Sequence, residues 1–152
     1  MSEKNVELSG RCLCGAVRFE CSEAPSLAAH CACEDCRKSS GTSHCTHVPV
    51  SADSVTLRGA TATYSHPADS GNIVTRHFCG TCGNAIYSTN NAMPSMKFLR
   101  ASSLDDLNAI NPTMFVYASR APKWAGIGEG LTTFDEMPPA PTEEIIENAR
   151  QG

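Results

Sequence analysis

The sequence predicts a mainly β fold, and three observations indicate it. Short segments with strand-like residue patterns recur about every 8–12 residues, separated by turn-forming residues. The helix signals are few and short. Only 6% of the 152 residues are aromatic and 41% are hydrophobic, so the core is modest in size. A small core of this kind often needs stabilisation beyond apolar packing.

The predicted elements follow one another along the chain with short connections. A tight turn at Cys14 and Gly15 interrupts the first strand, and Pro49 ends the third. The strands are expected at 10–21, 24–32, 43–50, 55–59, 62–64, 73–78, 84–88, 96–101 and 114–119. Strands 55–59 and 62–64 form one predicted hairpin, and 73–78 and 84–88 form another. A short helix is predicted at 34–40, ended by Gly41, and a single helical turn at 103–107.

The chain is predicted to contain one domain over residues 1–137 and a different tail over 138–152. The tail begins with the sequence MPPAP, which is typical of a stiff, extended linker. A short helix is predicted to follow from Thr142, with two glutamates in its first turn, where acidic side chains favour the helix dipole. Ile145, Ile146 and Ala149 would form the face that docks on the domain.

Charge and hydropathy exclude several functional classes. The net charge of −4 argues against the broad basic face needed for phosphate backbones, so no nucleic-acid partner is expected. No run approaches the roughly 20 apolar residues of a membrane span. The first residues, MSEKN, lack the apolar core of a signal peptide. The protein is therefore expected in the cytoplasm, where thiols stay reduced.

Seven of the nine cysteines fall in three tight clusters. They form C-x-C at Cys12 and Cys14, C-x-C-x-x-C at Cys31, Cys33 and Cys36, and C-x-x-C at Cys79 and Cys82. A reducing compartment opposes disulfides, and a C-x-C disulfide closes a strained ring. A redox role for the C-x-x-C pair would favour a βαβ context, which its flanks lack. The clusters therefore predict zinc, whereas Cys21 and Cys45 are interpreted as small buried apolar residues.

Seven ligands divide into four and three, and the spacing allows two divisions. In one, Cys33 and Cys36 share a zinc with Cys79 and Cys82, and Cys31 joins Cys12 and Cys14. In the other, Cys31, Cys33 and Cys36 stay together with little loop to close. A four-thiolate zinc is saturated and structural, whereas a three-thiolate zinc keeps one position open for chemistry.

The chain resembles the glutathione-dependent formaldehyde-activating enzyme family. The resemblance rests on GRCLCGAVRFE at 10–20, CACEDCRKSSG at 31–41 and RHFCGTCG at 76–83, with a weaker match over 112–124. It identifies 1–137 as a zinc-binding domain of this family. The fold that it implies is a β-tent of several coiled antiparallel sheets, with zinc-binding knuckles and short helices.

The resemblance also implies the metal sites and the reaction. It implies a structural zinc on Cys12, Cys14, Cys79 and Cys82 and a catalytic zinc on Cys31, Cys33 and Cys36. The implied activity is that of a carbon–sulfur lyase or S-(hydroxymethyl)glutathione synthase, which acts on thiol–aldehyde adducts with a small thiol such as glutathione as partner. Because three thiolates hold zinc less completely than four, we expect the second zinc to be labile. The alternative is a non-catalytic, zinc-stabilised binding or chaperone-like module.

Several residues near the three-cysteine motif are candidates for further roles. Arg37 and Lys38 follow the motif and are predicted to bind a substrate carboxylate, although cations at a helix end are also favoured by the dipole. His44 and His47 lie three residues apart on a predicted strand and so face opposite sides. One of them could act as a fourth zinc ligand or as a proton carrier.

Overall fold

The fold is built from eleven strands and two helices in the parts of the chain that the structure describes. The structure is a computed structural model and describes residues 5–126 and 129–151. The strands are β1 Leu8–Arg11, β2 Arg18–Cys21, β3 Ala29–Cys31, β4 Cys45–Ser51, β5 Val55–Arg58, β6 Thr61–Pro67, β7 Ile73–Cys79, β8 Ala85–Asn90, β9 Met96–Arg100, β10 Met114–Val116 and β11 Thr132–Thr133. The helices are α1 Glu34–Ser40 and α2 Thr142–Gln151. The predicted mainly β class is confirmed.

The strands form two sheets. The smaller has the order β1-β2-β5 and is antiparallel throughout. The larger has the order β11-β10-β3-β4-β9-β8-β7-β6. Its pairs are antiparallel except at β10, which runs parallel to both β3 and β11. The neighbouring strands β3, β4 and β9 therefore place residues 29–31 and 45–51 beside residues 96–100, which are distant in sequence.

The main core contains apolar residues from both sheets. Phe19 of β2, Val48 and Val50 of β4, Ile86 of β8 and Leu99 of β9 are all nearly inaccessible to solvent. An isolated bridge between Gly10 and Leu104 also joins β1 to the turn after β9. A side chain at Gly10 would collide with the ring of Phe19, which explains glycine at this position.

The first predicted strand, 10–21, is two strands in the structure. β1 and β2 pair antiparallel, and the turn between them closes through a hydrogen bond from the Cys12 N–H to the Val17 carbonyl at 2.9 Å. Gly15 in this turn has φ +80°, a left-handed conformation that glycine adopts without strain. The predicted second strand is also shorter, since only Ala29–Cys31 pairs as β3.

Helix α1 matches its predicted limits. The Cys33 sulfur accepts a hydrogen bond from the Cys36 N–H at its start, and Gly41 ends it at φ +80°. Helix α2 begins at Thr142 as expected and extends to Gln151. Its Ile146 is buried against Met93 and Met96. Neither helix, nor any other helix within 5–126 and 129–151, has the length and apolar composition to cross a bilayer.

Candidate functional site

Four cysteines from two distant hairpins meet in one cluster, which we call the knuckle cluster. Its members are Cys12, Cys14, Cys79 and Cys82, whose sulfur atoms all lie within 4.8 Å of one another. The Cys14 sulfur is 3.6 Å from that of Cys12 and 3.7 Å from that of Cys79. Thiolates bound to one zinc at about 2.3 Å would lie about 3.8 Å apart in a tetrahedron. The spacing therefore fits zinc and is far longer than a disulfide bond of about 2.05 Å.

Two similar turns hold the knuckle cluster. In the second, the Cys79 N–H donates to the Asn84 carbonyl at 2.9 Å, and the Gly83 N–H donates to the Cys79 carbonyl at 2.8 Å. Asn84 also joins the turns, since its Oδ1 accepts a hydrogen bond from the Leu13 N–H at 3.1 Å. The sulfurs thus converge because each lies on a tight backbone turn and because one side chain ties the turns together.

Backbone amides around the knuckle cluster offset negative charge on sulfur. The Val17 N–H points at the Cys12 sulfur at 3.2 Å, and the Thr81 N–H at the Cys79 sulfur at 3.4 Å. Burial opposes ionisation of Cys12, but the Val17 amide and the neighbouring thiols lower its pKa to about 6. At Cys14 the Ala16 amide favours the thiolate, yet the adjacent thiols raise its pKa to about 11. Ionising all four sulfurs together therefore calls for a cation.

The second cluster, the triplet cluster, surrounds the start of α1. It comprises Cys31, Cys33 and Cys36, with Cys45 and His47 of β4 packed beside them. The ligand atoms of Cys31, Cys36 and His47 lie within 4.8 Å of one another. Cys33 is outside that group, and its sulfur caps the helix by accepting from the Cys36 N–H at 3.4 Å. The structure thus places Cys31 and Cys36 at ligand distance from each other and from His47, with Cys33 at the helix start beside them.

Charge in the triplet cluster is concentrated at Cys36. Hydrogen bonds from Cys31 and Cys33 lower the pKa of Cys36 to about 5, whereas the neighbouring Cys33 and Cys36 raise the pKa of Cys31. A hydrogen bond from Cys36 also lowers the pKa of Cys45, against the effect of burial. Three or more thiols here cannot ionise together without a positive ion, which is the arrangement that soft metals such as zinc prefer.

His47 joins the triplet cluster to a buried arginine. Its Nε2 lies 2.9 Å from the Cys45 sulfur and 3.4 Å from the Cys36 sulfur, and its Nδ1 lies 2.7 Å from Nη1 of Arg100. Arginine has only donors, so His47 accepts at Nδ1. Burial and the charge of Arg100 lower the pKa of His47, so the ring is neutral and its proton lies on Nε2, directed at sulfur.

Arg100 is the residue of the site that sequence reasoning missed most clearly. It is only 4% exposed, and it also donates to the Ser88 hydroxyl at 3.2 Å. It reaches His47 because the two residues are direct partners in the β4–β9 ladder. The sequence contained one indication of this role. Alternation of side chains along the strand places Arg100 on the same face as Met96 and Phe98, which is an unusual position for a cation. Cys45, interpreted as a lone apolar residue, belongs to this site as well.

The two cations predicted to bind substrate lie apart from the cavity beside the triplet cluster. Lys38 pairs with Glu34 at 2.9 Å on an exposed face of α1. Arg37 is half-buried and, like Lys38, is absent from the cavity wall. Arg76 of β7 and Arg100 are the cations that line that cavity. His44 and His47 face different surroundings, as expected from their spacing on one strand. His44 contacts the His30 ring and Ser43, whereas His47 contacts the sulfurs of Cys36 and Cys45.

Fold and site together define a mainly β, cysteine-rich protein with two candidate metal sites in the part of the chain that the structure describes. The family model for the glutathione-dependent formaldehyde-activating enzyme matches residues 7–120. A Halomonas elongata protein named after the same enzyme is 30% identical over 126 residues, which cover 79% of this chain and 80% of that protein. The chain therefore belongs to the glutathione-dependent formaldehyde-activating enzyme family.

A solved structure shares the fold. The crystal structure of a Rhodobacter sphaeroides protein superposes with a TM-score of 0.53 and 23% sequence identity. The match covers 68% of this chain and 91% of that chain. At this identity the likeness concerns the fold alone.

Proposed function

We propose that the protein is a zinc-dependent carbon–sulfur lyase, or in reverse a synthase, for thiol–aldehyde adducts of the S-(hydroxymethyl)glutathione type. Cys12, Cys14, Cys79 and Cys82 would hold a structural zinc, and Cys31, Cys33 and Cys36 a catalytic one. The observation that carries the proposal is the contrast between the clusters. Four cysteines complete the first set of ligands, whereas the triplet cluster opens on a cavity of about 230 Å³.

A zinc held by three thiolates would keep one position for a substrate and would make a bound thiol more acidic. The buried Arg100 suits that role, because one divalent ion and three thiolates carry a net charge of −1, which a guanidinium offsets. The hydrogen bond from Arg100 keeps the His47 proton on Nε2. In that state Nε2 donates to sulfur, so His47 holds a proton beside the reacting groups and is not itself a ligand.

The reaction is the addition of a thiol to an aldehyde and its reversal. In the synthase direction, sulfur of the thiol forms a bond to the aldehyde carbon, the C=O π bond opens, and the thiol proton passes to the aldehyde oxygen. In the lyase direction the C–S bond breaks, the C=O double bond re-forms, and the hydroxyl proton returns to sulfur. Arg76 would stabilise charge on that oxygen, since it is a cation that lines the cavity.

The alternative is a zinc-stabilised binding module without catalysis. One observation favours it, namely that His47 Nε2 is close enough to Cys31 and Cys36 to complete the coordination. That arrangement would require the His47 proton to move from Nε2 to Nδ1, and Arg100, which has only donors, would then have to release Nδ1. The 2.7 Å contact between Arg100 and His47 therefore favours the open site.

The test combines exchange kinetics with metal spectroscopy. NMR exchange between free and thiol-bound aldehyde is measured with glutathione and other thiols, for the wild type, Cys36→Ser and Cys21→Ser. Cys21 is a matched control because it is buried and outside both clusters. We expect catalysed exchange in the wild type and Cys21→Ser and none in Cys36→Ser. X-ray absorption of the zinc-loaded protein should show no imidazole. Imidazole coordination that His47→Gln removes, with no catalysed exchange, would establish the binding module instead.

A further inference from the structure

The cavity beside the triplet cluster is mostly apolar. Cys31, Cys33 and Cys36 line it together with Leu27, Phe98 and Ile145. An apolar cavity of about 150 Å³ holds one benzene molecule, so about 230 Å³ accommodates roughly nine carbon atoms by the same measure. Formaldehyde contributes a single carbon to an adduct. The cavity is therefore much larger than the aldehyde for which the family is named.

The charges around the cavity do not match those of glutathione. Glutathione carries two carboxylates and an ammonium group, and burying an unpaired charge is costly. The charged residues lining the cavity are Asp35, Arg76 and Arg100. Arg100 is already bonded to His47 and Ser88. Among the described residues, Arg76 is the remaining cation of the cavity wall for an anionic oxygen, so the ionic part of glutathione belongs outside the cavity.

The outer wall comes from the tail of the chain. Met137, Pro138, Thr142, Ile145 and Ile146 all line the cavity. These residues lie beyond the region 7–120 that matches the family model. The cysteines are thus part of the matched region, whereas this wall comes from the chain beyond it and shapes the space next to them.

Helix α2 is fixed firmly enough to act as a wall. Ile146 is 2% exposed and packs on Met93 and Met96. Further along the helix, Arg150 forms a salt bridge with Glu23 at 3.2 Å and donates to the Ser51 hydroxyl at 2.9 Å. The helix is therefore anchored at two points, and Ile145 lies at the edge of the cavity between the helix and the sheet.

From these observations we infer that the cavity binds an alkyl or aryl group of about four to eight carbon atoms on the adduct. The inference rests on the proposed function and narrows its substrate class. Such a group contacts the apolar wall, the reacting carbon and sulfur lie at the triplet cluster, and Arg76 meets the oxygen. The group enters either as the aldehyde substituent or as the body of the thiol.

Binding is tested first, without chemistry. The probes are ethanol, butan-1-ol and hexan-1-ol, titrated into the full-length, zinc-loaded protein and followed by amide NMR shifts. Because each buried methylene group contributes about 0.8 kcal/mol, affinity should rise about fourfold per methylene. Ile145→Trp should abolish this rise by filling the cavity, and Ile145→Ala should extend it to longer chains. Asn148→Trp is the matched control, since Asn148 is exposed on the same helix.

Turnover then identifies the source of the apolar group. One series keeps glutathione and varies the aldehyde from formaldehyde to butanal, hexanal and 4-fluorobenzaldehyde. The other keeps formaldehyde and varies the thiol from glutathione to butanethiol and hexanethiol. We expect kcat/KM to rise at least tenfold along one series, and Ile145→Trp, but not Asn148→Trp, to remove the gain.

The outcomes separate this inference from the function on which it rests. Efficient exchange of formaldehyde with glutathione, with no gain along either series and no chain-length dependence of alcohol binding, would overturn the apolar ligand class and leave the proposed reaction intact. Chain-length-dependent binding that Ile145→Trp abolishes, with no turnover of any adduct, would overturn the reaction and support the apolar ligand class.

Discussion

Replacing one cysteine in each cluster should have opposite effects on folding and chemistry. Cys79→Ser removes one thiol of the knuckle cluster, the proposed structural zinc site, which joins Cys14 and Cys79 across 65 positions of sequence. A structural zinc contributes about 10–16 kcal/mol of apparent binding free energy in small domains. The whole stability of a domain is about 5–15 kcal/mol. Losing most of that contribution should therefore leave Cys79→Ser largely unfolded at 25 °C.

Cys36→Ser should keep the fold. Cys36 lies at the start of a seven-residue helix, and the sheets around it are complete without it. The change buries a hydroxyl in place of a thiol, which costs about 1–3 kcal/mol if the hydroxyl is unpaired. This variant should unfold cooperatively with one zinc per chain and show no catalysed exchange.

The assay is a graded chelator titration with metal counting, in parallel with circular dichroism. In the wild type, one zinc should leave early without loss of β structure, and the second only with unfolding. In Cys36→Ser the early step should be absent. If both metals left in one step together with the fold, or if Cys79→Ser melted at the wild-type temperature, the division into structural and catalytic sites would be refuted.

Three further predictions concern stability. Ile146→Ala should lower the free energy of unfolding by about 2–5 kcal/mol, since it leaves a cavity at a buried position under α2. Urea unfolding checks this with Asn148→Ala as the control, and equal urea midpoints for the two variants would contradict it. Gly59→Ala and Gly71→Ala should each cost about 1–2 kcal/mol because both have positive φ. Gly59→Ala should cost about 1–3 kcal/mol more, as its Cβ would lie 2.1 Å from the Ala16 carbonyl oxygen whereas that of Gly71 meets nothing; equal losses would refute the contact. Burial, together with the charge of Lys97, lowers the pKa of His77 below 6.5. The unfolded chain therefore binds more protons than the folded protein, and the free energy of unfolding should decrease as the pH falls below about 6.5. With zinc in excess, the urea midpoint should fall less steeply between pH 7.5 and 5.5 in His77→Gln than in the wild type, and an unchanged slope would show that His77 does not contribute.

The sequence predicted the class of fold and the local pieces of both clusters, because these depend on short-range patterns. The helix over 34–40 and its end at Gly41 follow from signals within one turn. The tight turn at Cys14 and Gly15 was predicted and is present. The pairing of β1 with β2 across it was not predicted, since a period of two does not distinguish a bent strand from two paired ones.

Long-range pairing was beyond what the sequence predicts. The parallel contact of β3 with β10 joins residues more than 80 positions apart and leaves no local pattern. The pairing of His47 with Arg100 depends on the register of β4 against β9, which only the assembled sheet determines. For the same reason the spacing of the cysteines left two divisions of seven ligands open.

The position of the knuckle cluster in the chain has a consequence for biosynthesis. A ribosome adds about 5–20 residues per second, so the 65 positions between Cys14 and Cys79 correspond to about 3–13 s of translation. During that interval the first two thiols have no partners from the second turn. The triplet, by contrast, is complete within six residues of chain, 31–36. Zinc present during synthesis could thus bind the cysteines proposed for chemistry before the four cysteines proposed for the structural site have all been made. The supply of zinc would then limit the fraction of nascent chains that reach the final fold.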